Sequence, residues 1–185
     1  MTRIFTTLAW FAILAVVANL IIGLMLGDDL RTPEVSHETL VWTRVHRLGG
    51  VAAALVVVLV NSIVITYFVG TSRWVKEVSE TYRLENKHIA ESNRIKRRTF
   101  PWATLSMLAV VGLISLGGAC DPSTGQPNTE AWVTPHLIGS FLVLGFLAWA
   151  SVIEWNNIFA NQQVIAAVLE DVNRIRAERG LEANA

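Results

Sequence analysis

Positions 46–69 run without an acid or a base beyond Arg47 at their edge. A helix of that length covers about 36 Å, which exceeds the hydrocarbon layer of a bilayer at about 30 Å. A domain this small cannot bury such a helix on every side in water. Three further stretches, 8–26, 102–118 and 135–153, are also apolar and long enough to cross or nearly cross a bilayer. Ala12, Ala15 and Ala18 in the first are followed by more apolar chain, so it reads as a spanning helix rather than a cleaved signal. A composition of 52% hydrophobic and 16% charged residues agrees, favouring a membrane protein over a water-soluble domain. The expected fold is an all-α, polytopic membrane protein with a four-transmembrane-helix bundle.

Net charge is zero, and the distribution of charge carries the information. If all four stretches span, twelve of the fifteen basic residues fall on one side: Arg3, the eight within 71–99, and Arg174, Arg176 and Arg179. Arg31, Arg44 and Arg47 fall on the other. The excess places both termini and the middle loop in the cytoplasm of a bacterial inner-membrane protein. The basic loop reads as an orientation signal near lipid headgroups, with no nucleic-acid partner. Residues 74–97 are good helix formers, expected to prolong the second helix and turn back near Thr99-Phe100-Pro101. Ile158, Ile165, Val168, Leu169, Val172 and Ile175 share one face of a cytoplasmic amphipathic C-terminal helix. The expected division is therefore a bundle over 1–155 and that helix and tail over 156–185. The amphipathic helix is expected to lie on the membrane surface or to dock on the middle loop or a partner.

Two histidines open apolar runs with matching steps. The first is His46-Arg47-Leu48-Gly49-Gly50 and the second is His136-Leu137-Ile138-Gly139-Ser140. Residues three and four apart share a helix face. Each imidazole would thus have little side-chain bulk one turn deeper, where a flat macrocycle could fit. The pattern belongs to a weak internal repeat of helix, loop, His-x-x-Gly-(Gly/Ser) helix and tail, with helices two and four facing across the centre. Haem iron accepts two axial imidazoles, and a four-helix bundle can cage it. Arg44 and Arg47 could meet the propionates at the aqueous edge. Small residues also mediate close helix packing in membranes, which leaves a structural role open for both steps.

Other polar residues read more simply. Cys120, Glu38 and His37 have no recognisable zinc spacing, and a lone cysteine cannot form an internal disulfide. His37 and His88 read as surface residues in polar loops. Thr134 and Pro135 read as the cap and first position of the fourth helix. Trp42 and Trp132 read as interfacial anchors. Glu154 reads as an acid at the inner interface, with a proton-carrying group as the other reading.

The layout resembles one half of the haem A synthase family, whose proteins join two four-helix bundles. The resemblance rests on the His46-Arg47 step, on His136 and on topology over 8–153. It implies histidine ligands on the second and fourth helices near the outer surface. Thr43 stands where that family carries an acid three positions before the first histidine, and its loop cysteine pair is reduced to Cys120. The resemblance thus implies a bis-histidine haem site more than oxidation of a haem substrate.

Three functions follow as expectations. The first is a b-type cytochrome-like electron-transfer subunit holding haem b on His46 and His136, rather than a self-contained enzyme. The second is a haem-modifying or haem-handling enzyme. The third is a cofactor-free accessory subunit of a respiratory or photosynthetic complex. Expected partners are the lipid bilayer together with other membrane proteins or a second copy of the chain.

Overall fold

The computed structural model describes residues 1–27 and 34–180, so Arg31 and the last five residues lie outside the described segments. Four helices dominate: α1 (Thr2–Leu26), α2 (His37–Tyr82), α3 (Lys87–Cys120) and α4 (Val133–Glu178). Two short 3₁₀ turns, Pro122–Thr124 and Thr129–Trp132, link α3 to α4. All four helices contain stretches long and apolar enough to cross a membrane. Each helix packs on its chain neighbours, α1 also packs on α4, and α2 meets α4 across the diagonal.

Side-chain size is sorted in the direction a bilayer permits. Ala9, Ala12, Ala53, Ala54, Ala103 and Ala150 are buried, whereas Trp10, Leu48, Leu55, Leu108, Leu142 and Trp149 point outward. Leu142 is 69% exposed and Trp10 61%. In water such a surface would be an aggregation liability. In lipid it costs nothing, and small residues inside let the helices approach closely.

Ser36 caps α2 by accepting the Thr39 amide at 3.0 Å, and the helix starts at His37. At the other end α2 does not stop near Thr99. It ends at Tyr82, and α3 begins at Lys87, so Thr99 and Pro101 lie inside α3. The turn contains neither glycine nor proline and so carries no sequence punctuation. Arg83 makes it by entering the left-handed region (φ 56°, ψ 44°), and the Leu84 amide closes on the Ser79 carbonyl at 2.8 Å. A side chain is disfavoured in that conformation. Arg83→Gly is therefore expected to stabilise the protein by about 1 kcal/mol, read as a raised unfolding midpoint in detergent.

The amphipathic segment is the second half of α4, which passes residue 156 without a break. It docks against the basic hairpin through buried Val168 and Val172. His88 is not a surface loop residue: it lies in the first turn of α3, 6% exposed, with Nε2 2.8 Å from Asp171 Oδ2. Arg174 holds the other carboxylate oxygen at 2.8 Å. This cluster lies beyond the apolar spans. The His88 hydrogen bond, then the Arg174 charge, hold the Asp171 carboxyl below the usual aspartate range. A depressed carboxyl contributes stability fully above its unfolded value of about 3.9 and loses it as pH falls through the folded one. Amides of the docked α3 and α4 segments should therefore exchange faster as pH is lowered through that window, after correction for intrinsic rates. Asp171→Asn should remove that step.

Candidate functional site

Both candidate histidines fall at the end of the bundle opposite the basic hairpin. Helices α2 and α4 run parallel on the diagonal, with α1 and α3 antiparallel between them. His46 lies more than two turns into α2, and His136 lies in the first turn of α4. The helices start at different heights, and the two rings nevertheless meet. Their centroids are 6.4 Å apart and their planes cross at 79°. Thr134 does not cap α4: the helix starts at Val133 after the 3₁₀ turn, with no side-chain cap. Pro135 still costs no bond, because the first amides of a helix lack partners in any case.

Each ring rests against a glycine of the preceding helix. A Cβ at Gly23 would lie 2.7 Å from His46 Cε1, and one at Gly117 would lie 3.2 Å from His136 Cε1. The backbone repeats the same relation. His46 Nδ1 lies 3.1 Å from the Asn19 carbonyl, four residues before Gly23. Leu113, four residues before Gly117, brings its backbone to His136, although His136 Nδ1 is buried without closing a hydrogen bond. A carbonyl only accepts, so His46 Nδ1 carries the proton and Nε2 keeps the lone pair that a metal would use.

The small-residue steps serve a different contact from the expected slot. A Cβ at Gly49 would lie 2.8 Å from Asn19 Oδ1, and one at Gly50 would lie 3.0 Å from Asn19 Nδ2. At Gly139 the neighbours are the methyl groups of Leu116 (3.2 Å) and Leu113 (3.7 Å). Ser140 is turned back on its own helix, donating to the His136 carbonyl at 2.8 Å. The space one turn below the histidines is thus occupied by α1 and α3. Asn19 links the two functions, since its side chain fills the glycine notch and its carbonyl orients His46. Sequence reasoning missed Asn19, Gly23, Leu113 and Gly117. Unequal connections separate Gly23 from His46 and Gly117 from His136, so no fixed spacing signalled the pairing.

The arginines divide. Arg44 is exposed, and Arg47 ties α2 to the α3–α4 loop, with Nη1 2.9 Å from Asp121 Oδ2 and 2.8 Å from Ser123 Oγ. Thr43 is buried and donates to the Thr39 carbonyl at 2.7 Å, and Glu38 is exposed in the first turn of α2. Cys120 places Sγ 3.2 Å from the Gly117 carbonyl. Among the described residues no three His, Cys, Asp or Glu side chains gather as a metal site. A bare zinc ion wants about four ligands, which this pair does not provide. Haem takes two axial imidazoles from the protein and in addition needs a slot for its macrocycle.

With a metal–imidazole bond of about 2 Å on each side of one iron, the two ring centres stand roughly 6 Å apart. The His46 and His136 centroids, 6.4 Å apart, stand at a comparable separation. No protein-family model, curated protein or solved structure matches the chain.

Proposed function

We propose that this chain is a b-type cytochrome-like membrane subunit in which His46 and His136 ligate one haem and through which single electrons pass. The separation of the two imidazoles carries the reading. Haem, when bound, supplies reversible one-electron exchange between ferric and ferrous iron. The chain's own residues hold the ligands: Gly23 and Gly117 seat the rings, and the Asn19 carbonyl fixes the His46 tautomer. Among the described arginines on that side, Arg44 is left to meet a propionate, because Arg47 is engaged by Asp121. By the positive-inside rule the site would face the outer side of the membrane, with the basic hairpin and both termini in the cytoplasm. With both histidines on one iron, no position would be left open for oxygen chemistry, and neither Thr43 nor Glu38 offers a placed acid. Both points favour electron transfer over haem modification.

The test is an absorption spectrum of detergent-purified protein, expressed with ample haem, before and after dithionite. A Soret band and a sharpened reduced α band are expected. Their absence would favour a cofactor-free accessory subunit, a reading supported by the close filling around Gly49, Gly50 and Gly139.

A further inference from the structure

At mid-bundle a second polar cluster stands apart from the histidines. Glu154 is 2% exposed, not an interfacial acid as its position in the sequence implied, and its Oε1 is buried without a partner. It lines a cavity of about 20 Å³. Ala9, Ala12 and Ile13 of α1, Val57 and Val60 of α2 and Leu147 of α4 form the walls, and none can carry a charge. The polar groups at the cavity are Glu154, Asn61 and Ser151. Asn61 spends its amide hydrogen on the Val57 carbonyl at 2.8 Å, and its Oδ1 is buried and unpartnered.

The cluster continues along one face of α4 toward the basic end. Asn157 and Asn161 follow Glu154 by three and seven positions, and both are buried. Asn157 Nδ2 has no partner. Asn161 Nδ2 donates to Thr71 Oγ1 at 2.9 Å and to Tyr67 Oη at 3.2 Å. Tyr67 and Thr71 in turn line an open groove beside Met1. Polar side chains therefore mark a seam from that groove to Glu154. Tyr67 is a second titratable side chain along it, and Met1, the amino terminus, lines the groove.

An ionisable residue inside a membrane bundle with no opposite charge is costly to keep as a bare anion. We propose that Glu154 is a proton-binding site, reached from the basic end along Thr71, Asn161 and Asn157, with Asn61 and Ser151 positioning the carboxyl. The cavity suits a single water with these three groups as partners. It does not suit a metal cation such as calcium or magnesium, which wants about six oxygens. Loading forms one O–H bond on a Glu154 carboxylate oxygen and breaks one in a hydronium of the seam. No electron moves. The site does not rest on haem and stands with or without iron at the other end.

Infrared difference spectra of the full-length protein in detergent, recorded across pH in H₂O and D₂O, test it. The wild type should show a carboxylic-acid C=O band that shifts in D₂O and is lost at alkaline pH. Glu154→Gln should lack the band, Asn61→Leu should shift it, and Asn161→Leu should slow its deuterium exchange. A hydrophobic carbodiimide needs no variant: mass spectrometry should find its adduct on Glu154, forming more slowly as pH rises. A band unchanged in Glu154→Gln, a Glu154 band that neither titrates nor exchanges, or no pH-dependent adduct would overturn the proposal. The haem spectrum of each variant is read separately and should not change.

Discussion

His46→Ala and His136→Ala should each abolish the six-coordinate, low-spin absorption of the haem-loaded protein. Each variant would remove one of the two proposed axial ligands and leave the helices intact, because the rings sit near the end of the bundle rather than in its apolar core. Loss of an orienting partner around a metal ligand typically lowers affinity about 10- to 100-fold, and loss of the ligand itself should exceed that. The readouts are the reduced-minus-oxidised spectrum and haem retained through purification, with circular dichroism confirming helix content. An unchanged low-spin spectrum in either variant would sink the ligand assignment. Alanine at His88, which serves the Asp171 contact at the far end, should leave the spectrum alone.

Gly23→Ala should damage the site nearly as severely, without replacing either imidazole. Its methyl would come within 2.7 Å of His46 Cε1, so the ring or the helix must move. Overpacking of this kind costs about 1–3 kcal/mol, and the movement takes His46 off the Asn19 carbonyl that sets its tautomer. Gly117→Ala, at 3.2 Å from His136 Cε1, should have a milder effect of the same kind. Gly112 is the control, because a Cβ there meets nothing within 4 Å. Gly112→Ala should keep the spectrum and match or raise stability, since alanine is the better helix former by up to about 1 kcal/mol. Equal behaviour of the Gly23 and Gly112 variants would show that the glycine seat has no bearing on the histidine.

Much of the fold was legible because apolar length is a local property. The uncharged run after Arg47 is long and apolar enough to cross a membrane, and the His-x-x-Gly echo placed His46 and His136 on helices two and four. The α2–α3 turn was not legible. Arg83 bends the chain there without glycine or proline, while Pro101, an apparent breaker, sits inside α3. His88 looked like a loop residue because its partner, Asp171, is contributed by the distant end of α4.

The site divides the same way. That two imidazoles belong together was readable from their matching neighbours, since residues three and four apart share a face whatever the rest of the chain does. What seats them was not. Asn19, Gly23, Leu113 and Gly117 lie on other helices, and their registers depend on how α1 and α3 slide along α2 and α4. Glu154 shows the same limit, because its position at the end of an apolar run told nothing of which way it faced. By itself the sequence determined helices, spans and the histidine pair, all consequences of composition and of the 3.6-residue period. Tertiary structure alone decided that the two rings stand 6.4 Å apart, that glycines and a carbonyl hold them, and that a carboxyl is sealed inside the bundle. Those facts depend on the relative height and rotation of packed helices, which no single helix encodes.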